Sequence, residues 1–201
     1  MSTAELIRAR DPDRREKILR AAGEQFARRG YHAVSLAEIG AAAGIVGSGI
    51  YRHFTSKSAI LVALLDQVMD RLLDEARQIM AAEPDGAAQL AALVRGQVAF
   101  AVNDRYLVGL YQREVHTLPE GDRRRLRRLQ RLYVEEWVHL VAELRPQLDD
   151  AQARALVHAA IGAIQSVVSY DSGLPRPRQV ELLDQVAHDC LASGPGPAPG
   201  R

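Results

Sequence analysis

The sequence predicts an all-α protein, with an N-terminal three-helix helix-turn-helix head followed by a C-terminal helical bundle. Three observations lead there. Apolar residues recur at the three- and four-residue spacing of helices, and no stretch joins period-2 alternation to β-branched enrichment as a strand would. Proline, glycine and capping residues stand where those periodic runs end. Charge is uneven, with ten Lys and Arg against six acids in residues 1–57 and sixteen against nineteen in the remainder. An ordinary variable surface can produce that imbalance, but a basic head on a slightly acidic body also suits a polyanionic partner.

The first helix is expected from about Asp13 to Arg29, with Ile18, Leu19, Ala22 and Phe26 on one face and Gly30 as the left-handed residue that ends it. Ser35-Leu36-Ala37-Glu38 is a capping box opening a short second helix, which Gly44 stops. A third short helix is expected over about Gly47 to Phe54. Ser56 then caps a long fourth helix striped by Ile60, Leu61, Leu64, Leu65, Val68 and Leu72. Beyond Pro84, helices are expected at about 86–103, 105–117, 122–144, 149–171 and 178–192, with breaks at Pro119, Pro146, and Pro175 with Pro177. The chain thus divides into a disordered arm (1–12), a head (13–57), a body (58–193) and a disordered Gly/Pro-rich tail (194–201).

A chain of 201 residues allows one sizeable core or two small ones. No apolar run approaches the roughly 18 residues needed to cross a bilayer, and MSTAELIRARDPDRR lacks the apolar segment of a secretory signal. One cysteine, Cys190, excludes an internal disulfide, and the six histidines are scattered. A cytoplasmic protein with no metal, no cofactor and no membrane partner is expected.

The segment GIVGSGIYRHFTSK, Gly44 to Lys57, gathers three glycines ahead of basic and aromatic residues. A phosphate-binding loop of an enzyme would need a strand before the glycines and, for a Walker loop, Gly-Lys-Ser/Thr in fixed register. Here a capped helix precedes them and Lys57 lies ten residues beyond Gly47. A helix-turn-helix fits instead. Gly44 makes the turn, Ile45 plugs the angle between the helices, and the second helix begins near Gly47 to enter a major groove. Gly47, Ser48 and Gly49 allow close backbone approach. Tyr51 and Lys57 suit phosphate contacts, as does Ser35 at the cap of the preceding helix. Arg52 and Ser48 are the candidates for base reading, with His53 and Tyr51 on the backbone, although Arg52 serves equally well as one more phosphate contact.

Residues 14–65 resemble the DNA-binding head of the tetracycline-repressor (TetR) family of bacterial regulators. The residues that carry the likeness are Ile18-Leu19 with Ala21-Ala22, Phe26, Gly30-Tyr31, Ser35-Leu36, Ile39-Gly40, Ala43-Gly44-Ile45, and Ile50-Tyr51-Arg52-His53-Phe54 with Ser56-Lys57. The resemblance implies a homodimer on a palindromic double-stranded DNA operator, acting as a repressor that a small ligand in the body releases. It also implies that the chain is no enzyme. Three positions depart from the pattern: Val46 at the turn, Gly49 inside the recognition helix and Ser58 after the anchor lysine.

In the body, polar residues among apolar ones suggest a pocket: Phe100, Asn103, Tyr106, Tyr111, Arg113, Glu114, Trp137 and Gln165. Arg113 and Glu114 could equally be an ion pair or a surface face. The run Arg123, Arg124, Arg125, Arg127, Arg128 and Arg131 reads either as a solvated face or as an entrance attracting an anion, such as a lipid-like acyl thioester of coenzyme A. The helix from Asp149 is apolar around much of its girth. With the last helix it offers a dimer interface through Leu156, Ala160, Ile164, Val167, Val168, Leu183 and Val186, although burial within one chain explains the same pattern. The alternative to a DNA-binding regulator is a helical small-molecule-binding protein or enzyme without DNA function. No nucleophile, paired acids or ligand cluster supports an enzyme.

Overall fold

The computed structural model describes residues 12–45 and 47–194. Pro12 and Gly194 apart, the expected disordered arm and tail lie outside the described residues, as does Val46. The described chain is helical, without a strand: α1 Pro12–Arg29, α2 Leu36–Ala42, α3 Lys57–Ala82, α4 Gly86–Asn103, α5 Arg105–Glu114, α6 Glu120–Leu144, α7 Asp150–Gln165 and α8 Arg176–Ala192. Short 3-10 segments occupy Gly47–Arg52, Val115–Thr117 and Ser166–Val168. The chain forms two compact units, Met1–Asp66 and Gln67–Arg201, and the division falls inside α3.

In the first unit, α1 buries the expected face of Ile18, Leu19, Ala22 and Phe26. It ends at Gly30, which takes φ +81° and returns its N–H to the Phe26 carbonyl at 3.0 Å. Both halves of the capping box at Ser35 and Glu38 are formed. The Ser56 hydroxyl accepts from the Ala59 N–H at 3.0 Å and so opens α3.

In the second unit, α4 packs against α6, α7 and α8, which cover its apolar circumference. Leu93, Val94, Val98 and Ala101 of α4 meet a core that includes Leu126, Trp137, Leu140, Val157, Ile164 and Ala187. Trp137 has no exposed surface. A buried indole removes roughly 150–250 Å² from water, worth about 4–6 kcal/mol at ~25 cal/mol per Å². Asp85 caps α4, and Asp149 with Gln152 forms a second capping box at α7.

Three expected helices are shorter or tighter than the periodicity suggests. The third is a six-residue 3-10 turn instead of an α-helix. It begins at Gly47 with φ +60°, and it carries Gly49, among the poorest helix formers, in its middle. The helix expected to reach residue 117 ends at Glu114, whose carbonyl the Thr117 hydroxyl takes at 2.8 Å. The helix expected to reach 171 ends at Gln165. Beyond it, Asp171 and Ser172 side chains accept the N–H groups of Gly173 and Leu174 and so compete with a helical ladder. Among the described residues no helix is long and apolar enough to cross a membrane, and no cluster of His, Cys, Asp and Glu could hold a metal.

Candidate nucleic-acid interface and interior cavity

The turn between α2 and the 3-10 segment is built on glycine. Gly44 takes φ +71°, and the N–H groups of Gly44 and Ile45 reach the carbonyls of Ala41 and Gly40 at 3.0 and 2.8 Å. Ile50 is fully buried and fills the space that Gly40 leaves, since a Cβ on Gly40 would stand 3.3 Å from the Ile50 Cβ. Ile45 is only half-buried, so Ile50 is the residue that closes the angle. Ile45 packs instead on Gly49, where an added Cβ would come within 2.8 Å of its Cγ2 methyl.

With Ile50 turned inward, its neighbours face out. Ser48 and Arg52 are exposed, and Tyr51 is 58% exposed. Among the described residues their side chains have no hydrogen-bond or ion-pair partner. Gly47 is exposed and Gly49 half-buried on the same turn, and His53 is half-buried behind it.

Two other candidate phosphate contacts are engaged within the chain. The Lys57 ammonium donates to the carbonyls of Tyr31 (2.7 Å) and Val34 (2.8 Å), with a longer contact of 3.4 Å to His32. It also stands 4.5 Å from the Tyr31 ring centre. Ser35 accepts from the Glu38 N–H at 3.2 Å and gives both its hydroxyl and its N–H to Glu38 Oε2 at 2.7 Å. Arg29 donates to the other carboxylate oxygen at 2.7 Å. These bonds, first those from Ser35, hold the Glu38 carboxyl down at about 2.

The second unit encloses a cavity of about 310 Å³ between α3, α4, α5, α6 and α7, at the small end of ligand pockets, which run from roughly 300 to 1,000 Å³. Its walls are mostly apolar, and three polar pairs cross them. The Tyr133 hydroxyl donates to Gln97 Oε1 at 3.0 Å, the Tyr111 hydroxyl to Gln130 Oε1 at 2.7 Å, and Gln112 to Gln165 at 3.1 Å. Burial pushes both phenols above their ordinary range, so each remains a donor. Arg127, which is exposed, lines the same space with His116. The Arg71 guanidinium lies 5.0 Å from the centre of the Phe100 ring and bonds Asp104 at 2.8 Å, fixing one wall.

Of the residues expected at a pocket, Phe100, Tyr111 and Gln165 line this cavity. The others lie off its wall: Asn103 and Arg113 are exposed, Tyr106 is half-buried, and Glu114 and Trp137 are buried in the core. Arg113 folds over Gly109. Gln97, Gln130 and Tyr133 were not foreseen there, whereas Arg127 belongs to the basic run expected either on a solvated face or at an entrance. Gln97 did carry a signal, a lone polar residue within an otherwise apolar helix face, where a buried polar group is the informative exception.

Of the residues expected at a dimer interface, Ala160, Ile164, Val167 and Leu183 are buried within the chain. Leu156, Val168 and Val186 keep partial exposure. Beside them the outer faces of α7 and α8 present Ala159, Gly162 and Leu182, the last 44% exposed.

Residues 18–64 match the family model described as bacterial regulatory proteins, tetR family, and residues 83–169 match that of a tetracyclin repressor-like C-terminal domain. The chain is 30% identical over 166 residues to the HTH-type transcriptional activator FasR of Mycolicibacterium smegmatis, covering 83% of this chain and 64% of that protein. It is 34% identical over 110 residues to the HTH-type transcriptional repressor KstR2 of Rhodococcus jostii, covering 55% and 54%. The matched part is therefore less than two thirds of either relative. Among solved structures, AibR in complex with isovaleryl coenzyme A and operator DNA superposes with a TM-score of 0.73 at 19% identity, over 86% of this chain and 97% of that one, a likeness of fold. With the head and the body each matched by a model of the same family, the chain belongs to the TetR family of bacterial regulatory proteins.

Proposed function

We propose that the protein is a DNA-binding transcriptional regulator, a dimeric repressor that leaves a palindromic operator when a small anionic, largely apolar molecule enters the cavity of the body. The observation that carries this reading is the 3-10 turn Gly47–Arg52. Ile50 anchors it from within, while Ser48, Tyr51 and Arg52 stand outward, their polar groups unengaged among the described residues. A surface prepared to meet phosphates and base edges has that form. Tyr51 contacts the backbone and Arg52 reads a base, with Ser48 beside it, while Gly47 and Gly49 keep the backbone close to the duplex. His53 and Ser35 border this surface. Lys57 acts mainly by holding the Tyr31–Val34 carbonyls together.

Dimerisation follows from the energetics of a short reading element. Two half-sites double the phosphate contacts and sharpen discrimination. The outward faces of α7 and α8, with Leu156, Val168 and Val186, supply the surface for a second copy. The mixed walls of the cavity and Arg127 at its margin suit an acyl thioester of coenzyme A, and one protein of the same fold is described with such a ligand.

The test begins with duplexes selected by the purified protein from the DNA around its own gene. Tyr51→Ala should weaken binding to every sequence alike. Arg52→Ala should cost about 1–3 kcal/mol and relax preference at one position. A panel of acyl-CoAs should raise the melting temperature and dissolve the complex. If neither substitution alters the gel shift on the selected duplex, the docking model fails, and if no acyl-CoA does either thing, that effector class fails.

A further inference from the structure

The polar groups of the cavity form a graded ladder along α6. Arg127 is exposed, Gln130 is half-buried, and Tyr133 is buried. Each shares the cavity wall, and each of the two inner rungs is bonded to a partner on another helix: Gln130 to Tyr111 of α5, Tyr133 to Gln97 of α4. Six helical positions separate the outer rung from the inner one, about 9 Å at ~1.5 Å per residue.

Gln97 matters most. Only 2% of its surface is exposed, it lies on the cavity wall, and its carbonyl oxygen already accepts the Tyr133 hydroxyl. That bond fixes which end of the carboxamide is used and leaves the NH₂ group, two donors, without a hydrogen-bond partner among the described residues. The Gln97 Nε2 opens onto the cavity and is not sealed in the core, so an apolar occupant strips it of water at a cost of about 1–3 kcal/mol, and an occupant that supplies an acceptor avoids that cost.

From this we infer that the molecule recognised by the cavity carries a hydrogen-bond acceptor, a carbonyl or its equivalent, at its buried end, together with an anionic group held by Arg127 at the outer end. The two are separated by a short apolar segment. This rests on reading the cavity as the effector site, and it narrows the class: a plain saturated chain leaves the Gln97 NH₂ unmet and is discriminated against. Selection by a site built to donate is stronger than selection by apolar size alone.

Three matched probes test it on the full-length chain: 8-oxononanoate, which has both groups; nonanoate, which lacks the buried acceptor; and 2-nonanone, which lacks the anion. Trp137, the chain's single tryptophan, has its ring 6.2 Å from that of Tyr133, so its fluorescence reports occupancy without added label. The keto acid should bind on the order of tenfold or more tighter than nonanoate, and Gln97→Met should abolish that difference. It should also bind tighter than 2-nonanone, by a margin that shrinks with salt and disappears in Arg127→Gln, as expected of an exposed charge. Equal binding of 8-oxononanoate and nonanoate to the unmodified protein would overturn the inference while leaving the effector-site reading in place. If none of the three alters Trp137 fluorescence or the DNA complex while an acyl-CoA does, the inference falls and the effector-site reading stands; if the acyl-CoAs fail as well, both fall. Because the probe comparison uses the unmodified chain, it decides the matter even if Gln97→Met does not fold.

Discussion

Lys57 shows how a residue can carry the right chemistry for one role and the geometry of another. From sequence, a lysine behind an aromatic and basic cluster reads as a phosphate anchor. In the fold its ammonium closes the Tyr31–Val34 segment onto the start of α3 through carbonyl bonds and the Tyr31 ring. Hydrogen bonds from charged donors are each worth about 1.5–3 kcal/mol, so Lys57→Met is expected to lower the head's stability by about 1–3 kcal/mol, measured by chemical denaturation. The slope of log affinity against log salt for duplex binding should stay unchanged. A slope reduced by about one, with stability intact, would return Lys57 to the phosphates. Spacing and residue type placed this lysine correctly along the chain. They could not show that three carbonyls converge on it, because that convergence depends on how the loop after Gly30 is folded.

At the scale of elements, capping and punctuation made the helices legible. Ser35 with Glu38, Gly30, Gly44 and the prolines mark ends that the structure reproduces closely. The 3-10 turn was not legible, because local propensity does not report the contact between Ile45 and Gly49. That contact sets the sign of an otherwise stabilising change. Gly49→Ala gains up to about 1 kcal/mol of helix propensity, yet its Cβ would meet the Ile45 Cγ2 at 2.8 Å on a branched, stiff side chain. Gly49→Ala should therefore destabilise the head alone and become neutral or stabilising in an Ile45→Ala background, a coupling that a double-mutant cycle of melting data would measure. The cavity was legible only in part for a related reason. Periodicity identified Phe100, Tyr111 and Gln165 as polar or aromatic members of buried faces. Which of them share one space with Gln97 and Tyr133 depends on the rotation of five helices about their own axes, and no single helix encodes that.

At the scale of the molecule, the decisive question is whether two chains act together. Gly162 lies on the outer face of α7 with nothing near the position of an added Cβ. Arginine there should not disturb one chain, and it removes a glycine from a helix interior. If α7 and α8 form the interface, Gly162→Arg converts a dimer into a folded monomer by light scattering, with circular dichroism unchanged and operator binding lost. A variant that remains dimeric places the interface elsewhere. The anchoring of the reading turn has a broader consequence. Ile50 is the fully buried side chain of that turn, while among the described residues the side chains of Ser48, Tyr51 and Arg52 contribute no hydrogen bond or ion pair to the fold. If the turn reads DNA as proposed, the address it answers to can drift, or be rewritten in the laboratory, without the folding penalty that usually accompanies a change of specificity.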